Sequence, residues 1–335
     1  WKQAMAALPS YLDADGLAKF FPTMARGSDV LTAYILAITH AAGWEIPAGI
    51  REKMEAALKR FVAGSLMGHT ALPAADLSIR KLAAIEALSR TSQSAPEMLT
   101  VIAIEPNLWP TSAVIDWFNI LQRVENIPQR TERLKEAEQI LRARLNVQGT
   151  TMRFSTERSD ALWWLMVSND VNSVRLILSL LNSPKWKEDM PRLVKATLAR
   201  QKRGAWDLTV ANDWGVQEVE KFAKAFESTQ VSGTTTAALS TQTRSVEWAG
   251  APKGTGQQFD WPSQREELTI NHAGGGKPWV TVQSLAAIPL KEPFSSGYRI
   301  KKTVVPVMQK QPGVWSRGDV ARIRLDIEAQ SDMTW

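Results

Sequence analysis

One helix limits what this chain can fold into more than any other feature. Ser28 or Asp29 can accept a hydrogen bond from the free backbone N–H groups of a first helical turn, and Gly43 provides an easy stop. Between Val30 and Ala42 there is no formally charged residue, and apolar side chains surround the predicted helix instead of forming one stripe. The segment is too short to span a bilayer, which takes about 20 apolar residues. We therefore predict a helix that is buried on nearly all sides within a ring of other helices.

The rest of the first two thirds of the chain also has helical patterns, each preceded by proline or a polar cap. In the next segment apolar residues recur at helical spacing from Ile50 to Val62, while charged residues take the other positions, as in an outer helix. Some segments are apolar all round and others are amphipathic. Together they predict an all-α domain with an inner and an outer ring. The predicted helices are residues 50–66, 77–88, 114–124, 133–145, 161–167, 171–181, 193–199 and 216–226.

The composition changes after Ser228. Ten of the 19 glycines follow residue 230, and segments that alternate with a period of two replace the helical ones. Residues 267–271 and 279–283 flank Gly274–Gly276 and predict a hairpin. Further strands are predicted at residues 298–307 and 320–328.

Size and charge exclude several classes of protein. A chain of 335 residues exceeds the usual size of a single core, so two or more domains are expected. The net charge of +6 is interleaved with acidic residues, as in residues 130–138, so no basic patch for nucleic acid is predicted. The chain contains no cysteine, which excludes disulfides, thiolate nucleophiles and cysteine metal sites within it.

Three segments together resemble a known family. Residues 20–37 contain Phe-Phe-Pro followed by Gly-Ser-Asp-Val-Leu-Thr-Ala-Tyr, residues 204–216 contain Gly-Ala-Trp and Thr-Val-Ala-Asn-Asp-Trp, and residues 315–327 contain Trp-Ser-Arg-Gly-Asp followed by an alternating strand. The three occur in the order seen in the alpha-2-macroglobulin and complement superfamily. Their amino-acid sequences are most similar to those of the bacterial alpha-2-macroglobulins.

The resemblance implies a mainly α fold in three parts. Residues 1–227 would form an α/α toroid of helical hairpins of the thioester-domain type, without its first part. Residues 228–295 would form the returning half of a CUB-like β domain, and residues 296–335 the start of a macroglobulin-like β-sandwich. We accordingly expect the chain to be an internal fragment of a larger protein.

The resemblance also implies a function. The whole protein would be a broad-spectrum protease inhibitor that traps an attacking protease after its bait region is cut, and not an enzyme. The family's Cys-x-Glu-Gln thioester would lie outside this cysteine-free chain, so no catalytic, cofactor-binding or metal-binding residue and no cofactor is predicted. Implied partners are host or competitor proteases and a penicillin-binding protein. The implied location is the periplasm, with membrane attachment only through an upstream lipid anchor.

The three histidines are the natural candidates for a catalytic role. In some complement relatives a histidine assists acyl transfer, and His69 lies in the matching region, but its surroundings do not match, which favours an ordinary loop residue. We interpret His40 as a core or rim residue of the apolar helix. His272 begins the glycine segment and has no visible partner in the sequence.

Two short motifs favour turns. Gly274–Gly276 with Lys277 lacks the second glycine, the Ser/Thr and the helix of a phosphate loop, since Pro278 follows. The tripeptide Arg317–Asp319 stands where a turn enters a predicted strand, and Gly-Asp is common in turns.

Two other classes of function remain open. The sequence Gln201–Trp206 has the Gln-x-x-Gly-x-Trp form seen in terpene cyclases, which are also α/α toroids, so an enzyme of that kind or a glycan-processing one is an alternative. Such cyclases need an acidic run, and the nearest approach, Asp13–Gly16, fails at its fourth position. An adhesion or binding module is the second alternative. No HExxH, GxSxG or GxGxxG pattern occurs.

Overall fold

The computed structural model describes residues 1–67, 76–102, 105–155, 162–285 and 298–329. The chain divides into two compact units, Trp1–Pro278 and Trp279–Trp335. The helical region and a three-stranded sheet belong to the first unit, and a two-stranded sheet belongs to the second. A helical region followed by β-rich segments agrees with the prediction, while the predicted domain boundaries after residues 227 and 295 stay predictions.

The helices of the described chain all lie in the first unit. They are α1 (Lys2–Ala7), α2 (Asp29–Ala42), α3 (Ala48–Val62), α4 (Leu77–Ser89), α5 (Thr111–Arg123), α6 (Arg130–Ala143), α7 (Asn169–Leu180), α8 (Met190–Leu198) and α9 (Thr209–Phe226). The helix predicted at residues 161–167 is wrong, and its described part contains only the 3-10 turn Trp163–Leu165. Met166 ends that turn with a φ of +57°, a left-handed conformation that an α-helix cannot continue through.

The ends of α2 are those predicted from its caps. Ser28 Oγ accepts a hydrogen bond of 3.2 Å from the N–H of Leu31, and Gly43 ends the helix with a φ of +68°. No residue from Asp29 to Thr39 is fully exposed. One stripe is only half-buried, however, and it contains Leu31, Tyr34 and Ile35. The burial of α2 is therefore deepest on the opposite side.

Five helices form a closed inner ring. Helix α2 packs on α4, α4 on α5, α5 on α7, α7 on α9, and α9 returns to α2. The other long helices lie outside this ring: α3 packs on α2 and α4, α6 on α5, and α8 on α7. Inner and outer helices thus alternate along most of the helical region. The assignment of this region to an α/α toroid stays a prediction.

The segment that joins α8 to α9 ties these helices together. Trp206 is buried, and its Nε1 donates a hydrogen bond of 2.8 Å to the carbonyl of Thr197 in α8. The Asn212 side chain accepts from the backbone N–H of Trp206 at 3.0 Å and donates to its carbonyl at 3.2 Å. Gly215 of α9 lies against the ring of Trp206. These contacts agree with the interpretation of the Gly-x-Trp motif as a signal of the fold.

The first unit also contains strands. A hairpin of β1 (Leu145–Gln148) and β2 (Thr151–Phe154), which the sequence analysis missed, lies between α6 and α7 in the chain. Strands β3 (Thr234–Leu239), β4 (Gln242–Glu247) and β5 (Leu268–Ala273) form an antiparallel sheet in the order β4-β3-β5.

The hairpin predicted around Gly274–Gly276 is wrong. Strand β5 pairs with β3, and residues 279–283 form no strand. The glycine segment instead folds back on residues 231–233, where the N–H of Ser232 donates to the carbonyl of Gly275 at 3.0 Å. A Cβ on Gly274 would lie 1.9 Å from the carbonyl oxygen of Ser232, so only glycine allows this approach.

The second unit contains the strands predicted near the end of the chain. Strands β6 (Tyr298–Met308) and β7 (Val320–Ala329) pair antiparallel. In the turn before β7, Asp319 accepts hydrogen bonds from the N–H groups of Ser316 at 2.7 Å and Lys310 at 3.0 Å. The interpretation of Arg317–Asp319 as turn chemistry is therefore confirmed.

Candidate functional site

Charged residues of the inner helices meet inside the ring. The residues of this central cluster are Glu86 of α4, Arg90 directly after the end of α4, Asp116 and Arg123 of α5, Arg175 of α7 and Trp214 of α9. Arg90 is the C-cap residue of α4 and keeps a helical backbone conformation, so it lies on the same side as Glu86 four residues earlier. Both carboxylates of the cluster are buried. A buried charge needs a partner, and each carboxylate has at least one arginine.

Glu86 is the centre of this network. Its Oε1 accepts hydrogen bonds from Arg90 Nη2 at 2.6 Å and Arg123 Nη1 at 2.8 Å, while its Oε2 accepts from Arg90 Nε at 3.1 Å. Burial acts to raise the pKa of this carboxyl, but Arg90, Arg123 and Arg175 together hold it well below its usual range. Glu86 is therefore ionised at neutral pH and links α4 to α5.

Asp116 pairs with Arg175 and thereby links α5 to α7. Arg175 Nη2 donates to Asp116 Oδ1. Burial raises the pKa of Asp116 to about 6, although Arg175 opposes the shift. The guanidinium groups of Arg90 and Arg175 also lie 5.4 Å and 5.7 Å from the ring centroid of Trp214, within the range of a cation–π interaction. Trp214 therefore connects α9 to the same network.

Two cavities adjoin the central cluster, and both are lined in part by Arg175 and Trp214. The first has a volume of about 70 Å³ and is mainly apolar, with Glu86 and Asp116 among its lining residues. The second, which we name the cationic cavity, has a volume of about 230 Å³. Its charged and imidazole side chains are Arg90, Arg123, Arg175, Lys221 and His40.

A separate buried ion pair joins α2 to α4. Arg80 donates to Asp29 through Nη2 at 2.7 Å and Nε at 2.9 Å, and its Nη1 lies 3.4 Å from Asp76. Trp164 Nε1 donates to the other oxygen of Asp76 at 2.9 Å. Asp29, which the sequence offered as an alternative cap, thus serves mainly as a partner of Arg80, and Ser28 supplies the cap.

The three histidines have different surroundings in the structure. His69 lies outside the described residues. His40 is exposed at the end of α2 and lines the cationic cavity. The pKa of its imidazole is lowered, mainly by partial burial and to a smaller extent by the positive charges of Arg90 and Arg123. The statement that His272 has no partner is wrong. Its Nε2 lies 3.2 Å from the carbonyl oxygen of Gly275, which can only accept, so Nε2 is the donor. Its Nδ1 lies 2.9 Å from Thr235 Oγ1 and forms a hydrogen bond with this hydroxyl.

The acidic pair considered for a cyclase has a structural role. Asp13 accepts hydrogen bonds from the backbone N–H groups of Asp15, Leu17 and Gly27 at 3.0, 2.9 and 2.7 Å. Asp15 forms an ion pair of 2.9 Å with Arg60. These carboxylates therefore hold the loop before α2 in place.

Sequence reasoning missed the central cluster. A signal existed, because Glu86 interrupts the apolar run 85–88 and Asp116 interrupts the run 114–118. A charged residue on the apolar side of a helix needs a buried partner. The sequence does not show which arginine of another helix supplies it.

In the described part of the chain, no group of three or more histidine, aspartate and glutamate side chains is placed to hold a metal ion.

A further buried carboxyl lies between α8 and α9. Glu218 has no exposed surface, and its Oε1 lies 2.8 Å from Thr197 Oγ1. The same hydroxyl lies 2.9 Å from the carbonyl of Val194. Because a hydroxyl has only one proton to donate, Thr197 can donate to Val194 only if Glu218 is protonated and donates to Thr197. Burial also raises the pKa of Glu218 to about 8, so this residue is neutral at pH 7.

We expect Glu218 to make the stability of the chain depend on pH. Its pKa is higher in the folded state than the ordinary 4.5, so the folded state binds more protons between about pH 4.5 and pH 8. The free energy of unfolding should therefore fall as the pH rises through this window, by up to about 1.4 kcal/mol per unit. Glu218→Gln should remove this dependence and be more stable than the wild type at pH 9. Urea unfolding at pH 5, 7 and 9 measures the effect.

Glu220→Gln on the exposed surface of α9 is the matched control, and its pH dependence should follow the wild type. If the Glu218→Gln and wild-type curves stayed parallel from pH 5 to pH 9, the assignment of a neutral buried Glu218 would be wrong.

Comparisons with known proteins connect this fold to one group of solved structures. No protein-family model matches the chain, and a search of curated proteins finds no match either. Among solved structures, trypsin-activated alpha-2-macroglobulin from Escherichia coli is similar over 97% of this chain and 21% of its own, with a TM-score of 0.53 and 14% identity.

Two other structures of the same protein give a similar result. Escherichia coli alpha-2-macroglobulin activated by porcine elastase matches 97% of this chain and 28% of its own, with a TM-score of 0.51 and 13% identity. The native form, spanning domain MG7 to the C-terminus, matches 98% and 49%, with a TM-score of 0.50 and 14% identity. The chain therefore spans less than half the length of these chains. The likeness shows a shared fold, which agrees with the sequence resemblance.

None of the described helices has the length and apolar character that a membrane span requires.

Proposed function

We propose that this chain is part of a protease-trapping protein of the alpha-2-macroglobulin class. The observation that carries the proposal is the shared fold, which extends over 97% of the chain in the trypsin-activated and elastase-activated structures. The three sequence segments that resemble the family lie in both units of this chain. Proteases are accordingly the partners that we propose for the whole protein.

The proposed role of the residues in this chain is that of a scaffold. Residues 1–227 would be the α/α toroid, residues 228–295 the returning half of a CUB-like domain, and residues 296–335 the start of a macroglobulin-like sandwich. The closed inner ring, with ion pairs from α2 to α4, α4 to α5 and α5 to α7, supports the toroid assignment. The thioester, the periplasmic location, the lipid anchor and a penicillin-binding partner rest on the sequence resemblance alone.

The alternative of a toroid enzyme has one observation in its favour, because Glu86 and Asp116 line a mainly apolar cavity inside the ring. Two facts argue against it. The cavity measures about 70 Å³, whereas sites for small organic molecules usually measure about 300–1,000 Å³. Both carboxylates are also paired with arginines, so they are poorly placed to exchange protons with a substrate.

Trapping differs from blockage of an active site in a measurable way. A trapped protease keeps its active site but is shielded from large molecules. We expect the full-length parent protein, mixed with trypsin, to reduce cleavage of a large substrate such as casein at least tenfold. Cleavage of a small chromogenic amide should change less than twofold. Rates with the two substrates at equal trypsin concentration measure the difference.

The same assay has a control and a decisive outcome. The 335-residue chain alone should protect neither substrate, because the proposal gives it a scaffold role only. Equal inhibition of both substrates by the parent protein, or inhibition of neither, would contradict trapping. Turnover of an isoprenoid or glycan substrate by the helical region would support the enzyme alternative instead.

A further inference from the structure

The cationic cavity has more positive charge than its surroundings balance. Four side chains that line it are cations: Arg90, Arg123, Arg175 and Lys221. The carboxylates paired with them are Glu86 and Asp116, so two positive charges remain in excess. His40 adds no charge at neutral pH, since its pKa is lowered. Glu220 also acts on Lys221, but it lies on the exposed side of α9. Unbalanced charge in a partly buried cavity is costly and favours a bound counter-ion.

Hydrogen-bond donors in the cavity remain available to such an ion. Arg123 uses Nη1 to contact Glu86 and Ser89, at 2.8 and 3.3 Å, and a guanidinium group has five N–H donors in all. Lys221 donates to the carbonyl of Ala41 and has two further N–H donors. These donors can bind oxygen atoms of a ligand without breaking the central cluster.

Asn119 of α5 gives independent evidence for a ligand. Its side chain lines the cavity and is only 3% exposed, yet its amide makes no hydrogen bond with any described residue. The amide is nevertheless not sealed from solvent, so the small exposed part of Asn119 faces the cavity. An amide that faces a cationic cavity without a partner is therefore available to a ligand.

We propose that the cationic cavity binds a small doubly charged oxyanion. Arg123, Lys221 and Asn119 would donate hydrogen bonds to its oxygen atoms. Its charge would balance the excess of two. The volume of about 230 Å³ is below the usual range for sites of larger organic molecules, but it exceeds the roughly 30 Å³ share of one water molecule several times, so it fits a small oxyanion with a few carbon atoms. The apolar walls formed by Leu178, Leu181 and Trp214 suit these carbon atoms. Phosphate esters and dicarboxylates share this chemistry. The inference does not depend on the proposed protease trap.

The test measures anion binding by the 335-residue chain. Inorganic phosphate and succinate are titrated separately at pH 7.5, with sodium chloride adjusted to constant ionic strength, and the melting temperature is recorded. A ligand that binds only the folded state raises this temperature in a saturable way. We expect such a rise with phosphate, succinate or both. The stronger of the two identifies a phosphate or a carboxylate ligand.

Variants locate the binding to the cavity. Lys221→Met should weaken the affinity about tenfold, or about 1.4 kcal/mol, since it removes one cation at contact distance from the ligand. Lys224→Met, one turn along α9 and exposed, removes the same charge and should leave the affinity unchanged. Asn119→Asp places a carboxylate in the cavity and should abolish the response. If Lys221→Met does not fold, Lys221→Gln, which keeps a polar end, replaces it.

Two results would overturn the proposal. One is the absence of a saturable rise with either anion. The other is an equal loss of affinity in Lys221→Met and Lys224→Met, which would indicate general charge screening and not a defined site.

Discussion

Replacing Glu86 with glutamine is expected to destabilise the helical ring by about 3–5 kcal/mol, because it removes one partner of a buried ion pair and leaves the other charged. Arg90 and Arg123 would both lose the carboxylate that they now bind at 2.6 and 2.8 Å. Domains of this kind are typically stable by about 5–15 kcal/mol, so the loss is a large fraction of the total. Urea unfolding followed by circular dichroism measures the change.

The matched control for this prediction is Glu52→Gln on the exposed side of α3. It makes the same chemical change away from any buried partner and should alter the free energy of unfolding by less than about 0.5 kcal/mol. Equal effects of Glu52→Gln and Glu86→Gln would mean that the central cluster does not hold α4 and α5 together. The central cluster would then be irrelevant to the stability of the ring.

The sequence predicted best those features that local chemistry determines. The caps of α2 are correct because Ser28 and Gly43 act on backbone groups within one turn of themselves. Strand β7 is correct because a clean alternation of side chains fits only an extended backbone. Local hydrogen bonding and periodicity were sufficient in both cases.

Errors arose where partners distant in the sequence decide the outcome. Strand β5 was expected to pair across Gly274–Gly276, whereas it pairs with β3 more than 30 residues earlier, for example Asn271 with Thr236. A glycine run indicates a turn but not the strand that follows it. The apolar composition of α2 similarly did not reveal which residues would be only half-buried. Ile35 and Tyr34 are on that stripe, and Tyr34 donates a hydrogen bond to Asp213 of α9.

The central cluster required both kinds of information. The charged residues within apolar runs could be recognised from the sequence. The sequence does not show, however, that Glu86 of α4 pairs with Arg123 of α5. The cationic cavity follows from the same arrangement, because the charge left over depends on which arginines share a carboxylate. Composition gives only the net charge of +6 for the whole chain and does not show that two unbalanced charges are concentrated in one cavity.

Replacing Gly215 with alanine is expected to destabilise the junction of α8 and α9 by about 3 kcal/mol, at the upper end of what overpacking usually costs. A Cβ at this position would lie 2.1 Å from Cζ3 of Trp206, far closer than carbon atoms can approach. The Trp206 ring cannot simply move away, because its Nε1 is bound to the carbonyl of Thr197 at 2.8 Å. Thermal and urea unfolding measure the loss.

Gly49→Ala provides a control of opposite sign. Gly49 lies in the first turn of α3 with open space around its Cα, so alanine there should stabilise the chain by up to about 1 kcal/mol through helix propensity.

A double-mutant cycle that combines Gly215→Ala with Trp206→Phe isolates the clash. The smaller ring leaves room for the new methyl group, so the double variant should lose at least about 1 kcal/mol less than the sum of the two single losses. Strict additivity, or a stabilising Gly215→Ala, would show that contact between α9 and the Trp206 ring does not set the position of α9, and the fold role given to the Gly-x-Trp segment would be wrong.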